Sequence, residues 1–266
     1  MDAPKLIYGT AWKQDETAAL VGRAFAAGYR AIDTANQKKH YREDFVGDAL
    51  LELKARREDL YLQSKYTYQN GQDHRLPYDP DEGFAAQVRS SFAGSLKNLH
   101  TSYLDSYLMH SLSSMEGVSE ADWEAWGALE ELQRSGQARS IGVSNVGLRQ
   151  LRELHEKAAV KPAVVSNRCY ALRGWDRGVR EFCAAHGLVY QGFSLLTANP
   201  QVVGSTAVMV IAGRLRATPA QVVFRFARAI GITPLTGTTD AGHMKEDLAA
   251  LELPLSEADV AAILAL

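Results

Sequence analysis

The sequence predicts an α/β protein closed into a (β/α)8 TIM barrel, and three observations predict it. Eight short runs, rich in apolar and β-branched or aromatic residues, alternate with longer amphipathic stretches. Strands that alternate with helices imply a parallel sheet. The length of 266 residues suits the roughly 250 typical of such a barrel. No Gly-rich fingerprint follows the first run, where the rival fold, an open doubly wound dinucleotide-binding sheet, needs one. The whole chain, 1–266, is expected to form one barrel domain.

The runs are each too short for a helix. In order they are "KLIYG" (5–9), "AID" (31–33), "LYLQS" (60–64), "YLDSYLMH" (103–110), "SIGVS" (140–144), "AVVSN" (163–167), "LVYQGF" (188–193) and "ITPLT" (232–236). Between them lie helical patterns. Residues 15–28 open on Asp15, an N-cap residue type, and close on Gly28, which suits a left-handed stop. Residues 79–99 and 120–136 follow, the second ending on Gly136. Residues 147–158, 176–187 and 218–231 complete the set, the last starting Thr-Pro, a good cap and first-turn pair.

Composition narrows the function. The chain is 46% hydrophobic and 23% charged with a net charge of −2. That balance carries no footprint for nucleic acid or an anionic membrane. Two cysteines, Cys169 and Cys183, do not make a disulfide framework, and a reducing cytoplasmic setting is expected. The first residues lack an apolar leader and no apolar run is long enough to span a bilayer. No P-loop, His/Cys metal spacing or nucleophile elbow is present.

In a barrel of this kind the active site lies at the C-terminal ends of the strands. Those ends carry Gly9–Thr10, Asp33, Lys65, His110, Ser144–Asn145, Asn167, Phe193 and Thr236. Singly, each titratable residue has an ordinary use. Asp33 can cap a turn, Lys65 can snorkel to solvent, and His110 can be a satisfied structural residue. Tyr41 can pack at a helix start. Together Asp33, Lys65 and His110 converge on one mouth, with Tyr41 in the loop just beyond Asp33. A cation beside a tyrosine favours the phenolate and so lowers its pKa. Such a cluster is a workable proton donor near neutral pH.

These residues carry a resemblance. Along nearly its whole length the chain resembles the aldo-keto reductases, through "GTAW" (9–12), "AIDTA" (31–35), "YLQSK" (61–65), "SLKNLHTSYLDSYLMH" (95–110), "GQARSIGVSN" (136–145) and "TPAQVVFRFA" (218–227). The resemblance implies a catalytic tetrad of Asp33, Tyr41, Lys65 and His110. One departure stands out. The family's tyrosine usually lies five residues beyond the aspartate, at the position of Lys38, whereas Tyr41 comes about three residues later. The resemblance also implies a nicotinamide cofactor, NADP(H), with NAD(H) accepted as well. Ser144, Asn145 and Asn167 would hydrogen-bond its carboxamide, with Phe193 stacking on the ring, and Gly9, Thr10, Ser194 and Leu196 are further cofactor-binding candidates. Ser194 and Leu196 follow Phe193. Thr236, Thr238, His243, Glu246 and Asp247 would lie near the adenosine and its 2′-phosphate. Leu235 and His243 stand where NADP-dependent relatives carry Lys and Arg, so only a mild preference for NADPH is expected.

The implied reaction is hydride transfer to the carbonyl carbon of a small aldehyde or ketone, with Tyr41 as proton donor. Trp12, Tyr66 and Tyr68 are expected to line the substrate mouth. Ser111 replaces the bulky Trp of many relatives, and the chain ends without a covering loop or a leading hairpin, so the mouth is expected to be open. No obligate protein partner is expected. The competing reading is a nicotinamide-binding barrel that serves as a regulatory or scaffold subunit. The displaced tyrosine favours it; a tetrad in the correct order opposes it.

Overall fold

In a computed structural model, which describes residues 4–266, eight parallel strands close into a barrel in simple sequential order. The elements run β1 (Ile7–Gly9), α1 (Thr17–Ala27), β2 (Ala31–Asp33), α2 (Glu43–Glu52), β3 (Tyr61–Tyr66), α3 (Phe84–Asn98), β4 (Ser106–Met109) and α4 (Glu120–Arg134). They continue as β5 (Ile141–Ser144), α5 (Leu148–Lys157), β6 (Val164–Arg168), α6 (Arg177–His186), β7 (Val189–Phe193), α7 (Pro200–Val203), α8 (Thr206–Leu215) and α9 (Pro219–Ala229). The chain closes with β8 (Thr233–Thr236), α10 (Ala241–Ala249) and α11 (Glu257–Leu264). The reading that no hairpin or leader precedes β1 involves Met1–Ala3, which lie outside the described residues. Among the described residues no single helix is long and apolar enough to cross a membrane.

All eight strand readings hold. Several helix ends hold for the reasons given: Gly28 closes α1 at φ 116°, and Thr218 caps α9 reciprocally with Gln221, with Pro219 in the first turn. Asp15 does not cap α1. A 3-10 turn over Gln14–Glu16 precedes that helix, and Asp15 instead pairs with Arg42 at 3.0 Å. The helix expected from residue 79 starts at Phe84, because Pro80 and Gly83 disfavour an earlier turn. Four helices beyond the six anticipated, α2, α7, α8 and α10, sit among these units, and α11 follows them.

The main core lies between the helices and the outer face of the barrel, where Trp126, Trp175, Phe92, Phe224 and Phe226 are buried. The barrel interior mixes polar and apolar side chains. Gln63 on β3 and Gln191 on β7 come from opposite sides of the ring and exchange amide hydrogen bonds of 2.7 and 2.9 Å across it. Strand side chains alternate between faces, so Tyr61 and Lys65 point inward with Gln63. Above and below the amides, Ile7, Ala31 and Leu235 form a small apolar layer with Tyr61 and Phe193. This alternation places Lys65 at the mouth and turns its neighbour Tyr66 outward.

Candidate active site

Asp33 ends β2 and is 4% exposed. Its Oδ1 accepts from Lys65 Nζ at 2.6 Å and from Gln63 Nε2 at 2.7 Å. Lys65 Nζ donates a second bond to Thr34 O at 2.9 Å. The two charges are therefore paired and hydrogen-bonded, the condition under which charges are tolerated inside a protein. Thr10 holds the strand end from the other side. Its amide and hydroxyl both donate to Asp33 O, at 3.0 and 2.9 Å. The Thr10 hydroxyl is thus committed to Asp33.

Tyr41 reaches this pair from a long loop. Its ring centre is 5.5 Å from Lys65 Nζ and 5.9 Å from the His110 ring, edge to face. The loop is anchored downstream by Glu43, the first residue of α2, whose buried carboxyl accepts from the Ser64 hydroxyl and from Asn98 Nδ2 at 3.3 Å. Burial raises the Glu43 pKa. Gly47 lets α2 close on α3, since a Cβ there would overlap the Asn98 carbonyl. The four tetrad residues are brought together despite the three-residue displacement of Tyr41.

The electrostatics differ from the expectation in one respect. Burial, and then the Asp33 charge, hold the Tyr41 phenol above its usual pKa, whereas Lys65 was expected to lower it. The ammonium sits 2.6 Å from Asp33, so most of its field is neutralised there. Tyr41 consequently keeps its proton throughout the neutral range. Burial pushes His110 down to about 3, with Lys65 and His40 adding to the effect. The imidazole is therefore neutral. Its Nδ1 is 2.7 Å from the Thr67 hydroxyl; with that hydroxyl donating, Nε2 carries the proton and can donate to a substrate oxygen.

Toward β5–β8 the strand ends turn to a different set. Ser144 is buried and accepts from Asn145 Nδ2 at 3.1 Å, which leaves its own proton free. Asn145 adopts φ 54°, a left-handed conformation that Asn tolerates. Asn167 uses both amide protons, on Val146 O and Asp176 Oδ2 at 2.8 Å each, and its Oδ1 accepts from Val146 N at 3.0 Å. It locks the loop after β5 and has only a carbonyl lone pair left to offer. Phe193 and Leu196 are half-buried, as is Ser194, which sits at φ 58°. At β8, the Thr236 hydroxyl donates to Asp247 Oδ2 at 2.7 Å. Burial raises Asp247 to about 6. Thr238 and Glu246 are half-buried and His243 is exposed. Gly9 ends β1, with the Thr236 carbonyl 3.5 Å from where a Cβ would stand.

Two mouth assignments need correction. Tyr66 is turned away from the mouth, 1% exposed, and donates to Gln87 Oε1 on α3 at 3.0 Å. Tyr68 is buried and donates to Asp122 Oδ1 on α4 at 2.8 Å. Strand alternation accounts for Tyr66, since Lys65 faces inward. Trp12 is 68% exposed and lies against His40, ring centres 3.5 Å apart with the planes tilted by 32°. Ser111 is half-buried beside His110.

The sequence reading passed over Thr67, Gln63, His40 and Lys13. Gln63 and Thr67 lie two residues to either side of Lys65, and the two-residue strand period would have found them. Lys13 crosses from the loop after β1 to donate to Gly237 O, between Thr236 and Thr238. No local pattern marks that long-range contact.

The comparisons with known proteins agree on a family. The model of the aldo/keto reductase family matches residues 5–199. A glyoxal reductase of Bacillus subtilis (strain 168) is 29% identical over 246 residues, covering 92% of this chain and 82% of its own. Deoxymugineic acid synthase 1 of Zea mays is 32% identical over 282 residues, 96% of this chain and 84% of its own. A methylglyoxal reductase of Escherichia coli (strain K12) is 28% identical over 236 residues, 88% and 78% of the two chains. Among solved structures, an aldo/keto reductase from Brucella melitensis superposes with a TM-score of 0.84 at 26% identity, covering 98% of this chain and 93% of that one.

Proposed function

The chain belongs to the aldo/keto reductase family, and from that premise we propose that Asp33, Tyr41, Lys65 and His110 reduce small reactive aldehydes of the glyoxal and methylglyoxal kind. Family membership makes the protein a nicotinamide-dependent oxidoreductase acting on carbonyl compounds. The observation that carries the residue assignment is the convergence of a protonated phenol, a neutral imidazole and a paired ammonium at one strand-end mouth. A scaffold protein has no use for that convergence, and with Tyr41 seated beside His110 and Lys65 its displacement no longer favours the regulatory reading.

The residues present fit a nicotinamide. Ser144 keeps a free hydroxyl proton for a carboxamide oxygen, and half-buried Phe193 offers an aromatic face. Ser144, Asn145 and Phe193 would hold that end, with Asn167 fixing the loop they stand on. Bound there, a reduced nicotinamide supplies the hydride. The chain supplies position and a proton. His110 Nε2–H and the Tyr41 hydroxyl orient the carbonyl oxygen and meet the charge that develops on it. Tyr41 then gives its proton to that oxygen, an alkoxide being a stronger base than a phenolate. The phenolate left behind lies beside the Lys65 ammonium, whose field Asp33 reduces but does not remove, and Asp33 and Thr34 O keep that ammonium in place.

The cofactor is NADPH with a modest advantage over NADH. Leu235 is buried in the barrel layer with Ile7 and Ala31, so it offers no charge to a 2′-phosphate. Thr236 is committed to Asp247, which leaves Thr238 and Lys13 as the donors nearest that loop. A neutral hydrogen bond from Thr238 contributes only about 1 kcal/mol, and the Lys13 ammonium is already engaged by Gly237 O. The open mouth, with exposed Trp12 and half-buried Ser111, supports a small and loosely selected substrate. The test is nicotinamide oxidation with a panel of aldehydes, including glyoxal and methylglyoxal, under both cofactors. Turnover of these dicarbonyls with NADPH, and more slowly with NADH, is the expected result; a strict NADH requirement or no turnover at all contradicts the proposal.

A further inference from the structure

Tyr41 lies eight residues beyond Asp33, and a loop of that length cannot aim a phenol by itself. Two buried glutamine side chains brace it against the segment after β3, in opposite directions. Gln37 Nε2 donates to Gly71 O at 2.7 Å. Gln72 Nε2 donates to Asn36 O at 3.0 Å and to Thr67 O at 3.2 Å. Both partners of Gln72 are carbonyl oxygens, so only the amide nitrogen can face them and its orientation is fixed. Each partner leads to a different proton-bearing group. Asn36 is joined to Gln37, whose carbonyl accepts from the Tyr41 amide at 3.0 Å. Thr67 carries the hydroxyl that sits 2.7 Å from His110 Nδ1.

We propose that Gln72 is a positioning residue that holds the loop of Tyr41 and the anchor of His110 in one fixed relation. This rests on the functional reading above and goes beyond it, since Gln72 touches neither substrate nor cofactor. Gln72 itself is 7% exposed.

The test is a double-mutant cycle of Gln72→Leu and Thr67→Val, reading kcat for aldehyde reduction, cofactor affinity and melting. Each single variant is expected to lose about ten- to a hundredfold in kcat, the scale on which a misplaced catalytic group costs, with cofactor affinity unchanged. The double variant is expected to lose less than the product of the two losses, because both cut the same link. Gln72→Glu keeps the size of the side chain and provides a second reading if Gln72→Leu does not fold. Only its protonated form can donate to a carbonyl, so its activity relative to wild type is expected to rise as pH falls. Wild-type kcat in a folded Gln72→Leu, multiplicative losses in the cycle, or a Gln72→Glu profile parallel to wild type overturns the proposal while leaving the functional reading intact. An inactive wild type overturns both.

Discussion

Lys65 Nζ stands 2.6 Å from Asp33 Oδ1 with both side chains sealed from water, exposed by 4% and 6%. This buried pair is the fixed point of the site, and the proton donor and the imidazole are arranged around it. Its energetics set the first expectation.

Lys65→Met leaves the Asp33 carboxylate buried with Gln63 as its remaining donor. Removing one partner of a buried pair costs about 3–5 kcal/mol, so the variant is expected to melt lower. Its kcat is expected to fall by at least about a hundredfold, since the charge that stabilises the phenolate is gone. Asp33→Asn keeps an acceptor for Lys65 and is expected to impair turnover less than Lys65→Met. Thermal melts and steady-state rates on the two variants check the order; a more damaging Asp33→Asn would place the main role on the carboxylate.

His110 makes stability depend on acid. Its folded pKa is depressed from 6.5 to about 3, so between those values the unfolded chain binds a proton that the folded chain does not. The stabilisation is present above about 6.5 and is lost as pH falls toward 3. Asp247 acts in the opposite sense. Its pKa is raised from 3.8 to about 6, so the folded chain gains stability as pH falls through that window. The shift of His110 is larger, and the residue is only half-buried, which reduces the effect. Unfolding of wild type and His110→Gln at neutral pH and at about pH 5 separates the two groups. The wild type is expected to lose more stability than the variant, and equal losses would show that His110 protonates freely in the folded state.

Much of this site was legible from strand ends alone. Asp33, Lys65 and His110 each close or follow a run whose period places them at one mouth, and that inference needs no tertiary knowledge. The error at Tyr66 came from naming a mouth residue by adjacency when the same period turns it outward. Helix α8, "TAVMVIAGRL", was not read because its apolar residues are not confined to one face, so periodicity does not mark it. The commitments of Asn167 to Val146 and of Thr236 to Asp247 depend on chain segments 21 and 11 residues apart. A single sequence does not encode such pairings in any local pattern.

Asp247 bears on the cofactor. At neutral pH its carboxylate is mostly ionised beside Glu246, in the region proposed for the 2′-phosphate. Asp247→Asn keeps an acceptor for the Thr236 hydroxyl and removes one like charge, worth on the order of 1 kcal/mol near a protein surface. NADPH is expected to bind about fivefold more tightly in the variant, with NADH unchanged. The gain should shrink below about pH 6 as the wild-type carboxyl itself takes a proton. Fluorescence titrations of both cofactors decide it, and an equal effect on the two would move the 2′-phosphate elsewhere.

The central claim is that Tyr41, brought in on its long loop, supplies the proton. The most direct measurement compares wild type with Tyr41→Phe in methylglyoxal reduction by NADPH, with cofactor binding titrated on the same preparations. Phe preserves the ring against His110 and removes only the hydroxyl. The account predicts unchanged cofactor affinity and a kcat lower by about 10²–10⁴-fold, the range for loss of a general acid. Turnover by Tyr41→Phe within a few-fold of wild type would contradict it and would pass the proton-donating role to another group at the mouth.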